Sequence, residues 1–201
     1  NKKGKYLSTI KNKSACIVTF LKGKDKAHLD YKNCFDIGKN IAKFHKTTSK
    51  ITLYRENSMS IKKLDYLLRS IKFQSKKKTL DLKSILIANL KDIKKEWPKN
   101  LPEGIIHGDL FIDNIFFNKN KFSGFIDFYF SSNDYLMYEI AICINALCFD
   151  KIKKKFVMNN KKIKNLINGY ESVRILSKKE MNSLNVLCRG AALRYLLTRI
   201  Y

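Results

Sequence analysis

Between Ile105 and Phe128 the chain reads IIHGDLFIDNIFFNKNKFSGFIDF, two apolar runs on either side of the polar NKNK. Apolar runs around an Asn/Lys turn predict an antiparallel β-hairpin. That hairpin constrains the rest of the chain, because it fixes where the polar residues of the stretch must meet. One arm begins at Asn114 and the other ends at Asp127, so the two come close in space, with Asp109 on the loop entering the same hairpin. Charged groups lodged among core residues are costly to desolvate unless they are paired, bonded or bound to metal. Two carboxylates and an amide oxygen make an all-oxygen set. Such a set suits Mg²⁺, a hard cation usually held by one or two carboxylates together with substrate phosphates.

The spacing narrows the chemistry. An Asp, an Asn five positions later and a further Asp at a strand end form the arrangement kinases use for phosphoryl transfer. There the first Asp accepts the proton of the attacking hydroxyl, while the Asn and the later Asp hold metal against the nucleotide phosphates. His107-Gly108-Asp109 stands where kinases have H-R-D, Asn114 follows at the kinase offset, and Ile126-Asp127-Phe128 takes the metal-Asp position. Asp109 is the expected catalytic base. His107 is expected to serve it by orienting the loop through hydrogen bonds. Asp113 is expected to be a turn or supporting residue, as Asx residues in loops often are.

Elsewhere the chain predicts an α+β organisation. Lys5 to Ile10 and Ser14 to Leu21 are β-like runs that predict a hairpin, and residues 22–30, KGKDKAHLD, interrupt the pattern as a linker. From Tyr31 the apolar period becomes helical, with Asp30 as N-cap and with Phe35, Ile37, Ile41, Phe44 and His45 near one face. His45 is expected to be a packing histidine or one placed at the helix C-terminus by the dipole. Further helices are predicted from Ile61 to Ile71 and from about Leu80 to Trp97, the latter closed by Pro98. A very apolar helix over DYLMYEIAICINALCF, with Asp134 as N-cap, follows the hairpin. Another runs from Lys161 to Tyr170, and a last one begins at Ser177 with the capping-box form S-K-K-E.

Composition bounds the function classes. With 45% hydrophobic and 12% aromatic residues, the 201-residue chain can bury a core. A formal net charge of +24 raises nucleic-acid binding as an alternative. The lysines are scattered through nearly every polar segment, however, and neither an aromatic-glycine motif nor a Cys/His finger accompanies them. A solvated lysine-rich surface is the expectation, with no nucleic-acid partner. The five cysteines form no C-x-x-C pair and mostly sit in apolar runs, which predicts reduced thiols and a cytoplasmic protein. No run approaches the roughly 18 apolar residues of a membrane span. The chain opens at Asn1 without a methionine and stops at Tyr201 within a helical pattern, so a fragment of a longer protein is expected.

With HGDLFIDNIFF and GFIDFYF in view, the chain resembles the aminoglycoside-phosphotransferase and choline-kinase branch of the protein-kinase-like fold, whose catalytic loop reads H-x-D. The runs IDFYFSSNDYLMYEIAICINALCF and RGAALRYLLTRIY are, more narrowly, similar to the homoserine kinases of that branch. The resemblance implies a mainly helical C-terminal lobe over residues 31–201, carrying the catalytic loop at 105–130. Residues 1–21 would be the last hairpin of the N-terminal lobe and its hinge strand, with the remainder of that lobe preceding Asn1. It implies ATP and Mg²⁺ as cofactors, with Asn114 and Asp127 on the metal. The backbone of Thr19, Phe20 and Leu21 would lie against adenine, and the γ-phosphoryl group would pass to the homoserine hydroxyl in threonine biosynthesis. An aminoglycoside or choline acceptor is the alternative within the family. Arg189, Arg194, Asp134 and Glu139 are candidates for the carboxylate and ammonium of a small amino acid, though helix-surface pairing explains them equally well. Tyr129 is expected to pack rather than to face a pocket. Ile112 departs from the family, which usually has proline there.

Overall fold

The computed structural model of the chain describes residues 7–73 and 77–201; Lys5 and Tyr6 of the predicted first strand lie outside them. The first hairpin pairs β1 (Ser8–Ile10) with β2 (Lys13–Ala15). At its turn Lys11 and Asn12 both have positive φ, as a two-residue type I′ connection requires. The predicted second arm is far shorter than Ser14 to Leu21, because residues 16–21 belong to no ladder and Ile17, Val18 and Phe20 are exposed. A β-branched run makes a strand only where a neighbour offers hydrogen bonds and a face to pack on. No other described strand pairs with this one. The predicted linker, by contrast, is anchored to Phe117 farther along the chain: the Lys24 N–H donates to the Phe117 carbonyl at 3.1 Å, and the Phe117 N–H returns a bond to the Lys24 carbonyl at 2.8 Å.

Helix α1 (Tyr31–Thr48) starts where the sequence places it. The Asn33 N–H donates to the Asp30 carboxylate at 2.6 Å and the Asp30 N–H to the Asn33 side chain, a reciprocal cap. Its buried stripe of Cys34, Ile37, Ile41 and Ala42 lies on α5 (Asn160–Glu171). The two helices meet backbone to backbone. A Cβ on Gly38 would stand 1.9 Å from the Leu166 carbonyl oxygen, and one on Gly169 would stand 2.0 Å from that of Phe35. His45 is buried and its Nδ1 lies 2.9 Å from the Tyr170 hydroxyl. Burial first, and the Arg174 charge second, push its pKa down to about 3, so it is a neutral packing residue and no dipole-stabilised cation.

The hairpin expected in the middle of the chain is present, with β4 (Ile115–Asn118) antiparallel to β5 (Lys121–Phe125) around Lys119 and Asn120, both at positive φ. Behind it lies α4 (Leu136–Leu147), apolar but for Glu139 and Asn145 and buried over nearly its whole length, as a helix of that composition must be. Asp134 is not its N-cap. Ser132–Tyr135 form strand β6, paired antiparallel with β3 (Glu103–Ile106), and Tyr135 occupies the cap position without a side-chain bond. SNDY carries no strand pattern of its own, so this pairing is dictated by a partner some thirty residues away. A further hairpin, β7 (Phe149–Ile152) with β8 (Lys155–Met158), escaped the sequence reading because its turn hides in a lysine run.

Helices α2 (Leu64–Ser70) and α3 (Lys77–Glu96) build a second core against α6 (Lys178–Ile200), through Leu64, Leu68, Leu90 and Ile93 on one side and Leu193 and Leu197 on the other. The capping box at Ser177 and Glu180 opens α6 as predicted. Leu187 and Ala191 of α6 belong to the main core, so this one helix serves both. Cys34, Cys143 and Cys148 are buried, Cys188 is partly so, Cys16 is exposed, and all five are free thiols. No described helix is long and apolar enough to cross a membrane.

Candidate active site

The loop between β3 and β4 is shaped by its glycine. Gly108 has φ of +78°, and a Cβ there would stand 2.9 Å from the Phe130 carbonyl oxygen. The arginine that H-R-D kinases carry could not take this conformation without strain. The loop backbone is clamped from below. The carboxylate of Glu139, fully buried on α4, accepts the N–H groups of both His107 and Gly108, the latter at 3.1 Å. Burial, opposed by those two bonds, pushes the Glu139 pKa up to about 7. This placement removes Glu139 from the candidates for a substrate ammonium.

His107 is buried, and its ring bonds only to backbone. Nδ1 accepts the Asp109 N–H at 3.3 Å, so Nε2 carries the proton and donates to the Ile126 carbonyl at 2.8 Å. Burial lowers its pKa, which keeps the ring neutral and this tautomer in place. The ring thereby ties the start of the loop to the far arm of the hairpin. Phe128 covers it at a centroid separation of 4.6 Å.

Asp109 is half-buried between two donors. The Tyr195 hydroxyl lies 3.4 Å from Oδ1, and the Asn114 amide lies 3.4 Å from Oδ2 and 2.8 Å from the Asp109 carbonyl oxygen. Burial raises its pKa, against the pull of Arg194. With its amide nitrogen turned to Asp109, Asn114 keeps Oδ1 for another partner. The Ile126 N–H donates to the Asn114 carbonyl at 3.1 Å, which sets Asp127 beside Asn114 across the hairpin end. Asp127 adopts a left-handed conformation (φ 59°, ψ 67°) that Asp tolerates better than most residues, and its carboxylate is exposed.

Four of the residues singled out from the sequence, His107, Asp109, Asn114 and Asp127, thus meet at one end of one hairpin. Among the described residues no three His, Cys, Asp or Glu side chains form a metal cage by themselves. An exposed carboxylate beside a free amide oxygen still fits Mg²⁺, since substrate phosphates complete its coordination. Thr19 and Phe20 are exposed and make no part of this cluster. Leu21 approaches the same hairpin at Gly124, and the Lys22 carbonyl accepts the Ser123 hydroxyl.

The remaining candidates separate clearly. Arg189 pairs with Glu96 at 3.0 Å on the surface. Asp134 is held by the Asn57 amide at 2.6 Å, and burial raises its pKa. Tyr129, expected to pack, is 71% exposed beside Arg55. Arg194 lines a cleft of about 380 Å³ that also takes in Asp109, Phe111, Asp113, Phe130 and Tyr195. Ile112 packs partly buried against the main core and opens a 3₁₀ turn, so the loop accepts it in place of proline. Tyr195, the one aromatic of α6, was missed because nothing local in the sequence ties it to a loop 86 residues earlier. Glu139 as a clamp had a signal, a lone carboxylate in an otherwise apolar helix, which is the same anomaly that marks the hairpin.

The model of the phosphotransferase enzyme family matches residues 6–171. A homoserine kinase from Rhizobium meliloti (strain 1021) is 39% identical over 198 residues, covering 98% of this chain and 60% of the relative. The chain therefore spans about 60% of the length of the curated relatives it matches. Among solved structures, the Plasmodium vivax ethanolamine kinase superposes with a TM-score of 0.67 at 20% identity, over 98% of this chain and 60% of that one. An amicoumacin kinase in complex with AMP-PNP and Ca²⁺ gives the same TM-score at 12% identity, over 98% of this chain and 61% of that one. At such identities the likeness is one of fold, and the fold is protein-kinase-like.

Proposed function

The chain belongs to the phosphotransferase enzyme family, and from that premise we propose that it supplies the catalytic part of an ATP-dependent kinase acting on the side-chain hydroxyl of L-homoserine. The observation that carries the phosphotransferase reading is the meeting of Asp109, Asn114 and Asp127 at the open end of the β4–β5 hairpin. The relatives named homoserine kinase support the choice of acceptor. A role in threonine biosynthesis in the cytoplasm follows from that choice.

Asp109 accepts the proton of the acceptor hydroxyl as its oxygen bonds to the γ-phosphorus, while the bridging P–O bond breaks and ADP leaves with the electron pair. The Tyr195 hydroxyl, shared between the Gly108 carbonyl at 3.2 Å and Asp109 Oδ1, and the Asn114 amide each lie against one Asp109 oxygen, so the carboxylate is oriented before the acceptor arrives. Orientation of this kind is a large part of what a protein contributes to phosphoryl transfer. His107 and Glu139 position the loop through its backbone. Asn114 Oδ1 and the Asp127 carboxylate are the groups that would hold Mg²⁺, which supplies neutralisation of phosphate charge. The backbone of Thr19, Phe20 and Leu21 is the proposed seat of adenine.

The test is a transfer assay on the full-length protein with ATP and homoserine, an aminoglycoside or choline as acceptor. Homoserine is expected to react. Asp109→Asn should lower kcat by about 10²–10⁴ with ATP binding retained, and Asp127→Ala should abolish transfer. Reaction of another acceptor in place of homoserine would overturn the substrate. Full activity of the Asp109 variant would overturn the mechanism.

A further inference from the structure

We infer that Arg194 receives the α-carboxylate of the acceptor, an inference that rests on the homoserine reading above and deepens it. Arg194 is only 3% exposed and bonds to the buried Tyr138, but its Nε and Nη1 have no hydrogen-bond partner among the described residues. No described carboxylate lies within ion-pairing distance of it, although Asp109, Asp134 and Glu139 all feel its charge. The other arginines with contacts differ. Arg174 pairs with the buried Glu180 at 2.9 Å, Arg189 with Glu96, and Arg55 donates to the Tyr129 carbonyl at 2.7 Å.

An arginine does not shed its charge when buried, so it must find an acceptor or bear the desolvation penalty. The rings of Phe130 and Tyr195 lie 5.8 Å and 4.9 Å from the guanidinium carbon and offset part of that penalty. They satisfy neither nitrogen. The missing partner is an anion, and the cleft that Arg194 lines also contains Asp109. The two groups are linked through α6, because Tyr195, next in sequence to Arg194, places its hydroxyl 3.4 Å from Asp109 Oδ1. One helix therefore presents a bonding group to the proposed base and, at the adjacent residue, a guanidinium with two unpartnered N–H-bearing nitrogens beside the same cleft. A carboxylate is the anion a guanidinium matches best, through short charge-assisted N–H···O bonds. A short acceptor with a hydroxyl at one end and a carboxylate at the other is the chemistry the cleft requires.

Two acceptors decide the matter: homoserine, and 3-aminopropan-1-ol, which is homoserine without its carboxylate. The wild-type full-length protein is expected to favour homoserine in kcat/KM. In Arg194→Gln that preference should fall by about 100-fold, mostly through KM, the magnitude expected for losing hydrogen bonds to a charged group. Arg194→Lys, which keeps the charge and loses the fork, should fall between the two, and it carries the measurement if thermal melting shows the Gln variant unfolded. An unchanged preference in the folded variants, even with both activities reduced, would overturn the inference and leave the homoserine reading standing. A wild-type protein that leaves homoserine unreacted and phosphorylates a carboxylate-free acceptor would overturn both.

Discussion

At the scale of single residues, the candidate site is a loop whose shape is held by groups that act on its backbone. His107, Gly108 and Glu139 act on backbone, through a neutral ring, a positive φ and a buried carboxylate. Glu139 gives this arrangement a pH signature. Its pKa stands at about 7 in the folded chain against an ordinary 4.5, so folding favours the protonated form. Its contribution to stability is therefore full below the unfolded value and is lost as pH rises through about 7. Glu139→Gln removes that titration. The stability difference between wild type and variant, measured by denaturant unfolding at several pH values, should change between pH 4.5 and 7 and level off above. The variant should also transfer more slowly, since the amide nitrogen of Gln faces a backbone N–H that loses its acceptor, a penalty of about 1–3 kcal/mol. The polar residues of the hairpin were legible because their spacing is local and their neighbours apolar. Tyr195 was not, because it is defined by a contact between distant elements, and Glu139 stood out only as a lone carboxylate in an apolar helix, with nothing local to say which loop it clamps.

Among the elements, those with local signals stand where the sequence puts them. Asp30 and Ser177 cap α1 and α6, and the Lys119-Asn120 turn closes β4 on β5. The β3–β6 ladder has no local signal, and it converts the expected helix cap Asp134 into a strand residue. The outer arm of the first hairpin shows the opposite failure, since its β-branched run finds no described strand to pair with. The contact of α1 with α5 was also invisible, although it is the tightest helix pair of the body. With carbonyl oxygens 1.9 Å and 2.0 Å from where a Cβ would stand, Gly38→Ala and Gly169→Ala must each push the helices apart. Each should destabilise by about 1–3 kcal/mol or more, read as a lower denaturation midpoint at unchanged m-value. Ala42, buried in the same helix, provides a comparison through Ala42→Gly. That change creates no clash and should cost about 1 kcal/mol in helix propensity and about 0.8 kcal/mol more for the buried methyl.

For the molecule as a whole, the net charge of +24 invites a nucleic-acid reading that its distribution argues against. Lysines are spread over separate grooves, Lys83, Lys91 and Lys94 in one and Lys99, Lys178 and Lys179 in another, and none lines the cleft beside Asp109, whose charged members are Asp109, Asp113, Arg194 and Arg199. Duplex DNA or RNA at physiological salt should therefore bind no more tightly than the 10⁻⁴–10⁻⁶ M typical of non-specific association. Fluorescence anisotropy across a salt series measures this, and tight, sequence-selective binding would contradict it. The family match extends over residues 6–171, so a chain this heavily biased toward lysine still carries the family's pattern. The Lys24–Phe117 bridge shows how that is possible. Its two bonds run from main chain to main chain, so the separation between the proposed adenine seat and the proposed metal end of the nucleotide is gauged by peptide groups, which every residue but proline carries in full. Side chains along that gauge can be lysine, as Lys22, Lys24 and Lys119 are, without altering the length it measures.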